Sequence, residues 1–106
     1  MFVLIVILRD LIKMAQAIVT IKVMPENPEI NLDELENKVK DAIKEFIQED
    51  SDMKTEIEPV AFGLKALKII FVMEESLGSP DSMAEKVENF EEVASAEIVD
   101  VRRALG

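Results

Sequence analysis

Two short segments of this 106-residue chain contain side chains that could bind a partner through specific contacts. The first is Phe62-Gly63, where an aromatic residue precedes a glycine in a stretch that is typical of a turn. An aromatic side chain on an exposed turn can fill a pocket on a partner, and such residues dominate the binding energy of protein interfaces. The alternative interpretation is that the Phe62 ring folds back onto its own hairpin.

The second segment is Arg102-Arg103, close to the end of the sequence. The whole chain has a formal net charge of −10, so two adjacent arginines are a local region of opposite charge in the sequence. A guanidinium group is a rigid cationic fork that binds carboxylates or phosphates. The alternative is that these arginines pair with acidic side chains of the same chain, which contributes little to stability at a surface.

The sequence offers little for covalent catalysis. It contains no His and no Cys, and therefore no imidazole base, no thiolate nucleophile and no Cys-based zinc site. The carboxylate pairs Glu74-Glu75 and Glu91-Glu92 are adjacent in sequence, and we interpret them as solvated loop or helix-end residues rather than as acid and base. We therefore expect a protein that is not an enzyme, with no catalytic residues, no cofactor and no metal site.

Composition and charge exclude further classes of protein. Hydrophobic residues make up 49% of the chain, which is enough for a core, and the length favours one domain. A strongly acidic surface repels phosphate backbones, so we expect no direct binding to nucleic acid. The apolar run Phe2–Leu8 is far too short to span a bilayer, which takes roughly 20 apolar residues, and we expect no membrane association.

The first thirteen residues are interpreted separately from the rest. A second methionine, Met14, follows them, and the pattern of an amphipathic strand begins just after it. We interpret Met14 as the natural start, residues 1–13 as an N-terminal extension, and residues 14–106 as the single domain. The alternative is that the extension forms an additional edge strand or a membrane-surface segment.

The hydrophobic pattern predicts six elements in the order strand, helix, strand, strand, helix, strand. The first strand covers 17–24, the first helix runs from Leu32 to Gln48 behind an Asn31 N-cap, and the next two strands cover 53–58 and 65–73. The second helix begins at Ser79-Pro80-Asp81, with Ser79 as N-cap, and the last strand covers 97–103. The phase of this last strand is ambiguous and allows a bulge.

This order of elements is the ferredoxin-like βαββαβ arrangement. We therefore expect an α+β fold, in which a four-stranded antiparallel sheet of order 4-1-3-2 carries both helices on one face. The apolar residues on the open face would be Ile18, Met24, Ile70 and Val72. If they are contiguous, they could form a protein interface.

The fold by itself does not indicate a function, because it hosts many unrelated activities. An RNA-recognition module requires aromatic stacking residues on a basic sheet face, and a metal carrier of this shape requires a Cys-x-x-Cys motif. An acylphosphatase-like enzyme requires an arginine near the loop after the first strand, where this chain has Pro25-Glu26-Asn27. The sequence supports none of these three activities.

Over residues 14–106 the chain resembles the archaeal elongation factor 1-beta family. The resemblance rests on three motifs, at 17–25 (AIVTIKVMP), 58–64 (EPVAFGL) and 99–103 (VDVRR). It implies the ferredoxin-like fold and a guanine-nucleotide exchange factor for the translation GTPase elongation factor 1-alpha, which must release GDP to be reused. It also implies a cytoplasmic protein, and we expect a monomer that binds the GDP-bound or nucleotide-free GTPase.

The resemblance further implies roles for the two segments. Phe62, followed by Gly63, matches the phenylalanine that docks in a pocket on the second domain of the GTPase. Arg103, with Arg102 as its neighbour, matches a basic residue that reaches the nucleotide domain near Mg²⁺, where the eukaryotic pattern has Lys. In the predicted topology the two segments lie at opposite ends of the sheet, roughly 20–30 Å apart.

Two other functions remain open from the residues alone. One is a ligand-sensing or oligomerising regulatory module of the same fold, which would pair sheet edges between subunits. The other is an acidic nucleic-acid mimic, which would bind basic proteins without any dependence on guanine nucleotide.

Overall fold

The computed structural model describes residues 16–48 and 52–104. The predicted order of elements is confirmed. The strands are β1 (Gln16–Pro25), β2 (Lys54–Pro59), β3 (Lys65–Glu74) and β4 (Val93–Ala104), and the helices are α1 (Leu32–Ile47) and α2 (Asp81–Glu88). The extension that we assign to residues 1–13 lies outside the described residues.

The four strands form one antiparallel sheet with the order β2-β3-β1-β4, which is the predicted order read from the other edge. The central pair, β1 and β3, is in continuous register from Gln16 opposite Glu74 to Val23 opposite Leu67. Both strands alternate between a fully buried face and a more open one. The fold class expected from the sequence is therefore confirmed.

Helices α1 and α2 bury an apolar stripe against one face of the sheet. The largest fully buried side chains of the core are Phe71, Ile21, Leu35, Ile43, Leu67 and Ile69. Asn31 is the N-cap of α1 as predicted, because its Oδ1 accepts hydrogen bonds from the backbone N–H of Asp33 at 2.9 Å and of Glu34 at 3.2 Å. No helix among the described residues is long and apolar enough to cross a membrane.

Helix α2 begins slightly later than predicted. Pro80, rather than Ser79, is the residue immediately before the helix, and its carbonyl accepts from the backbone N–H of Met83 and Ala84 at 3.1 Å. The Ser79 hydroxyl still serves the first turn, because its Oγ accepts from the Asp81 backbone N–H at 3.2 Å.

Strand β4 begins four residues before the predicted start at Glu97 and contains the bulge that explains its ambiguous phase. In the pairing with β1, Ile98 lies opposite Ile21 and Asp100 lies opposite Thr20, so Val99 is the extra residue. A bulge shifts the alternation of side chains by one position. As a result, residues 98, 101 and 103 lie on the helix-covered face of the sheet, and residue 102 lies on the open face.

Three of the four apolar residues expected on the open face of the sheet lie together at one end of it. Ile18 lies directly opposite Val72, and Ile70 lies opposite the neighbouring Thr20, so these side chains form a contiguous patch. Met24 is six positions along β1 from Ile18, beyond a charged zone around Lys22, and is separate from this patch. Three of the four expected residues are therefore contiguous and the fourth is not.

Candidate partner-binding site

The turn between β2 and β3 presents Phe62 to solvent. Its ends are closed by two backbone hydrogen bonds, from Val60 N–H to the Leu64 carbonyl at 2.9 Å and from Leu64 N–H to the Ala61 carbonyl at 3.3 Å. Phe62 is 93% exposed. The ring does not fold back onto the hairpin, so its contribution to the packing of this chain is small.

The backbone of this turn is strained at the aromatic residue. Phe62 has φ 63° and ψ 29°, and Gly63 follows with φ 74°. A bulky side chain in this left-handed region is a genuine outlier and costs about 1–3 kcal/mol. No atom beyond the neighbouring residues lies within 4 Å of the position that a Cβ on Gly63 would occupy, so glycine is favoured there by backbone conformation and not by space.

The turn borders a groove with a volume of about 380 Å³. The loop between β1 and α1 forms one wall, and the start of β3 forms the other. Its lining residues include Pro25, Asn27, Pro28, Ile30, Gly63 and Lys65. On the preceding strand, Ile57 is 50% exposed. Phe62 is therefore next to a residue, Gly63, that lines a concave surface, and the strand before the turn carries a second exposed apolar residue.

The two arginines lie at the far end of β4 and point to opposite faces of the sheet. Arg102 lies opposite Ile18 on the open face, and Arg103 lies opposite Ala17 on the helix-covered face. The structure therefore does not combine them into one guanidinium pair. Each arginine presents its charge separately at this corner of the sheet.

Both arginines have acidic partners within the chain, as the alternative interpretation of this segment requires. The Nε of Arg102 lies 2.9 Å from Oδ2 of Asp100. The Nε of Arg103 donates to Oε1 of Glu75 at 3.0 Å, and its Nη2 donates to Oε2 of the same carboxylate at 3.4 Å. The Arg103 side chain is nevertheless 71% exposed, so a partner can reach it.

Glu75 is the residue of this site that sequence reasoning missed. The sequence predicts a solvated loop carboxylate at this position, whereas Glu75 binds the guanidinium of Arg103. The predicted strand order contained the necessary signal, because β3 and β4 end on the same side of the sheet. An acid just after β3 and a base near the end of β4 are therefore within reach of each other.

An ion pair on the open face lies near the aromatic turn. Lys68 Nζ lies 2.8 Å from Glu58 Oε2. The hydrogen bond and the charge of Lys68 lower the pKa of Glu58, and the same contacts raise the pKa of Lys68. Both groups therefore stay charged across the neutral range, and this end of the open face is polar.

Phe62 and Arg103 lie at diagonally opposite corners of the sheet. Arg103 lies in the same row of the sheet as Met73, near one end of β3, and the turn precedes Lys65 at the other end of that strand. Arg103 itself is on the edge strand β4, which is separated from β3 by β1. With a rise of 3.3 Å per residue and strands 4.8 Å apart, the two are about 30 Å from each other. Among the described residues, no group of acidic side chains that could hold a metal ion is present.

Comparison with known proteins identifies the family. The family model of the EF-1 guanine nucleotide exchange domain matches residues 18–104, which include both Phe62 and Arg103. The chain is 39% identical over 93 residues to elongation factor 1-beta of Methanobrevibacter smithii, covering 87% of this chain and 100% of that protein. It is 49% identical over 84 residues to elongation factor 1-beta of Pyrococcus furiosus, covering 78% of this chain and 89% of that protein. The chain belongs to the EF-1 guanine nucleotide exchange domain family.

Proposed function

We propose that this chain promotes release of GDP from elongation factor 1-alpha by contacting two separate parts of that GTPase, one through Phe62 and the other through Arg103. Membership of the family supports both the exchange function and the partner. The observation on which the two-point contact rests is the separation of about 30 Å between the two side chains. One small ligand cannot span that distance, whereas two domains of one protein can.

Phe62 serves as the aromatic contact. Its ring is exposed, and its backbone is held in a conformation that opposes folding without any packing gain in return. Backbone strain of this kind is concentrated at functional positions. Docking of the ring in an apolar pocket on the second domain of the GTPase supplies the burial that the ring lacks in the free chain, and Gly63 maintains the turn that presents it.

Arg103 serves as the cationic contact and approaches the nucleotide-binding domain near its Mg²⁺. A positive charge close to a metal site competes electrostatically with the metal and weakens its hold on the phosphates. Arg102, on the opposite face of the same strand, adds a second positive charge at this corner. Each of the two positive charges is shared with one carboxylate of the same chain, and the Arg103 guanidinium stays exposed enough to approach an acidic metal site.

Exchange of this kind needs no covalent step. A factor that binds the nucleotide-free GTPase more tightly than the GDP-bound form lowers the affinity for GDP by the same ratio, because the two binding equilibria are linked. The chain acts on both nucleotide states as a monomer and without direct contact to nucleic acid. We assign this activity to residues 14–106, since the family match falls within them.

The rate of GDP release from the cognate GTPase tests this assignment when it is measured over a range of concentrations of the exchange factor. We expect Phe62→Ala to raise the concentration that gives half-maximal release, because it removes binding energy remote from the nucleotide. We expect Arg103→Ala to lower the maximal rate, because it removes the charge beside the metal. Glu45→Gln, a charge-neutralising change at the exposed Lys86 ion pair on the helices, is the matched control. Unchanged release in both Phe62→Ala and Arg103→Ala would show that the site is wrongly assigned.

A further inference from the structure

We infer that Glu75 is a positioning residue for Arg103, which it holds across the sheet in one orientation before the partner binds. The inference rests on the proposed role of Arg103 in exchange. A guanidinium group has five N–H donors. The Glu75 carboxylate uses the Nε donor and one Nη2 donor, and three N–H donors are left for an acidic or phosphate group of the partner.

Glu75 is the fixed member of the pair. It begins a short 3-10 turn, Glu75–Leu77, directly after β3. The Glu75 carbonyl accepts from the backbone N–H of Gly78 at 3.1 Å, and Leu77 packs against the hydrophobic core. The Glu75 side chain is also about half as exposed as that of Arg103. The carboxylate is therefore attached to the rigid part of the fold.

The ion pair between Arg103 and Glu75 crosses over β1, a strand to which neither residue belongs. Strands β3 and β4 are both neighbours of β1 and are separated by it, so the two backbones lie roughly 10 Å apart. Ala17 occupies the same row of the sheet as Arg103, between it and Met73. A small residue at this position leaves room for the long arginine side chain to extend over β1 towards Glu75.

The contact with Glu75 restrains Arg103 near the end of its strand. Arg103 is the last residue but one of β4, and strands fray at their ends unless they are tied down. An unrestrained arginine loses several rotatable bonds when it binds, and restraint before binding reduces that entropic penalty. The Glu75 carboxylate also neutralises part of the positive charge, which by itself would weaken binding to an anionic group. The geometry favours positioning, because the outer edge of the guanidinium stays exposed.

The test is a double-mutant cycle in the full chain. GDP release from the cognate GTPase is measured for Glu75→Gln, Arg103→Ala and the double variant, with half-maximal concentration and maximal rate determined separately. We expect Glu75→Gln to lower the maximal rate about fivefold, the size of effect expected for freeing one long side chain. We expect it to have no further effect in the Arg103→Ala background. Glu75→Asp, which keeps the charge, should recover part of the loss.

Two controls separate positioning from a loss of folding. Thermal unfolding of Glu75→Gln should match that of the parent chain, since an exposed ion pair contributes little to stability. Glu45→Gln removes an acid of the same charge from the Lys86 pair on the helices and should leave release unchanged. Equal loss of rate in Glu45→Gln would mean that net charge, and not position, is responsible, which would overturn the inference.

The outcomes distinguish this inference from the proposed function. If Arg103→Ala slows release but Glu75→Gln leaves it unchanged or accelerates it, positioning by Glu75 is wrong and the role of Arg103 stands. If Glu75→Gln slows release equally with and without Arg103, Glu75 acts independently and the inference is again wrong. If Arg103→Ala itself leaves release unchanged, the proposed role of Arg103 fails and the inference fails with it.

Discussion

Phe62 and Arg103 lie about 30 Å apart, at diagonally opposite corners of one four-stranded sheet. The first is on the turn that joins an edge strand to a central strand, and the second is near the end of the opposite edge strand. The hydrophobic core between them fixes their relative position. With an exposed aromatic side chain at one corner and an exposed cationic side chain at the other, the sheet has the dimensions that the proposed contact with two domains of one partner requires.

Removal of the Phe62 ring should weaken binding to the GTPase without weakening the fold. Truncation of an aromatic hot spot costs 2 kcal/mol or more, so we expect Phe62→Ala to raise the Kd for the nucleotide-free GTPase by about 30-fold or more. The melting temperature should not fall, because the ring is 93% exposed. Titration calorimetry and thermal unfolding check the two expectations. A large drop in stability with unchanged affinity would contradict them.

The contribution of Gly63 to stability should come from its positive φ and not from a lack of space for a side chain. Gly63→Ala should cost about 1 kcal/mol in the free energy of unfolding, because φ is 74° there although no atom obstructs a Cβ. Gly63→Asn should cost less, since Asn tolerates the left-handed region better. Denaturant unfolding of the two variants provides the measurement. Equal stability of Gly63→Ala and the parent chain would show that the turn accepts another conformation.

A lysine at position 103 should retain only part of the activity. Arg103→Lys keeps the positive charge but cannot form the two parallel hydrogen bonds to Glu75. We expect a maximal rate of GDP release between those of the parent chain and Arg103→Ala. Stopped-flow release of a fluorescent GDP analogue measures all three. Full activity of the lysine variant would show that charge alone is sufficient at this position.

The Glu58–Lys68 ion pair should make a pH-dependent contribution to stability. Because the pKa of Glu58 is lowered from its ordinary 4.5 in the folded chain, the pair stabilises the fold above that value, and the contribution is lost as the pH falls through the lowered pKa. Glu58→Gln should therefore lower the melting temperature slightly at neutral pH and have no effect in strong acid. In a Lys68→Met background this pH dependence should disappear. A difference that persists in strong acid would assign the effect to packing.

Much of the fold could be predicted because the alternation of apolar residues in β1 and β3 matches their burial. The bulge at Val99 could not be located, because Ile98, Val99 and Val101 are all apolar and fit either phase. The early part of β4 was missed because Ala94 and Ser95 have weak strand preferences. Only the pairing with β1 determines which residues of β4 face the helices.

The candidate site was predictable in its residue types but not in its contacts. Phe62 and Gly63 are predicted as partner-binding residues because an aromatic side chain on an exposed turn can fill a pocket on a partner, although the sequence does not distinguish an exposed ring from a folded one. The partner of Arg103 depends on the register of three strands, which brings Glu75 within reach. The predicted strand order brings the ends of β3 and β4 to the same side of the sheet, but the exact pairing of these two side chains depends on the register, which local sequence patterns do not encode.

Release of fluorescent GDP from the cognate elongation factor 1-alpha, in the presence of excess unlabelled nucleotide and increasing amounts of the full chain, tests whether this chain is an exchange factor that acts through Phe62 and Arg103. We predict a large, saturable acceleration by the parent chain and its near-complete loss in the Phe62→Ala/Arg103→Ala double variant. No acceleration by a correctly folded parent chain would show that it is not an exchange factor for this GTPase. Undiminished acceleration by the double variant would show that Phe62 and Arg103 are not the contact residues.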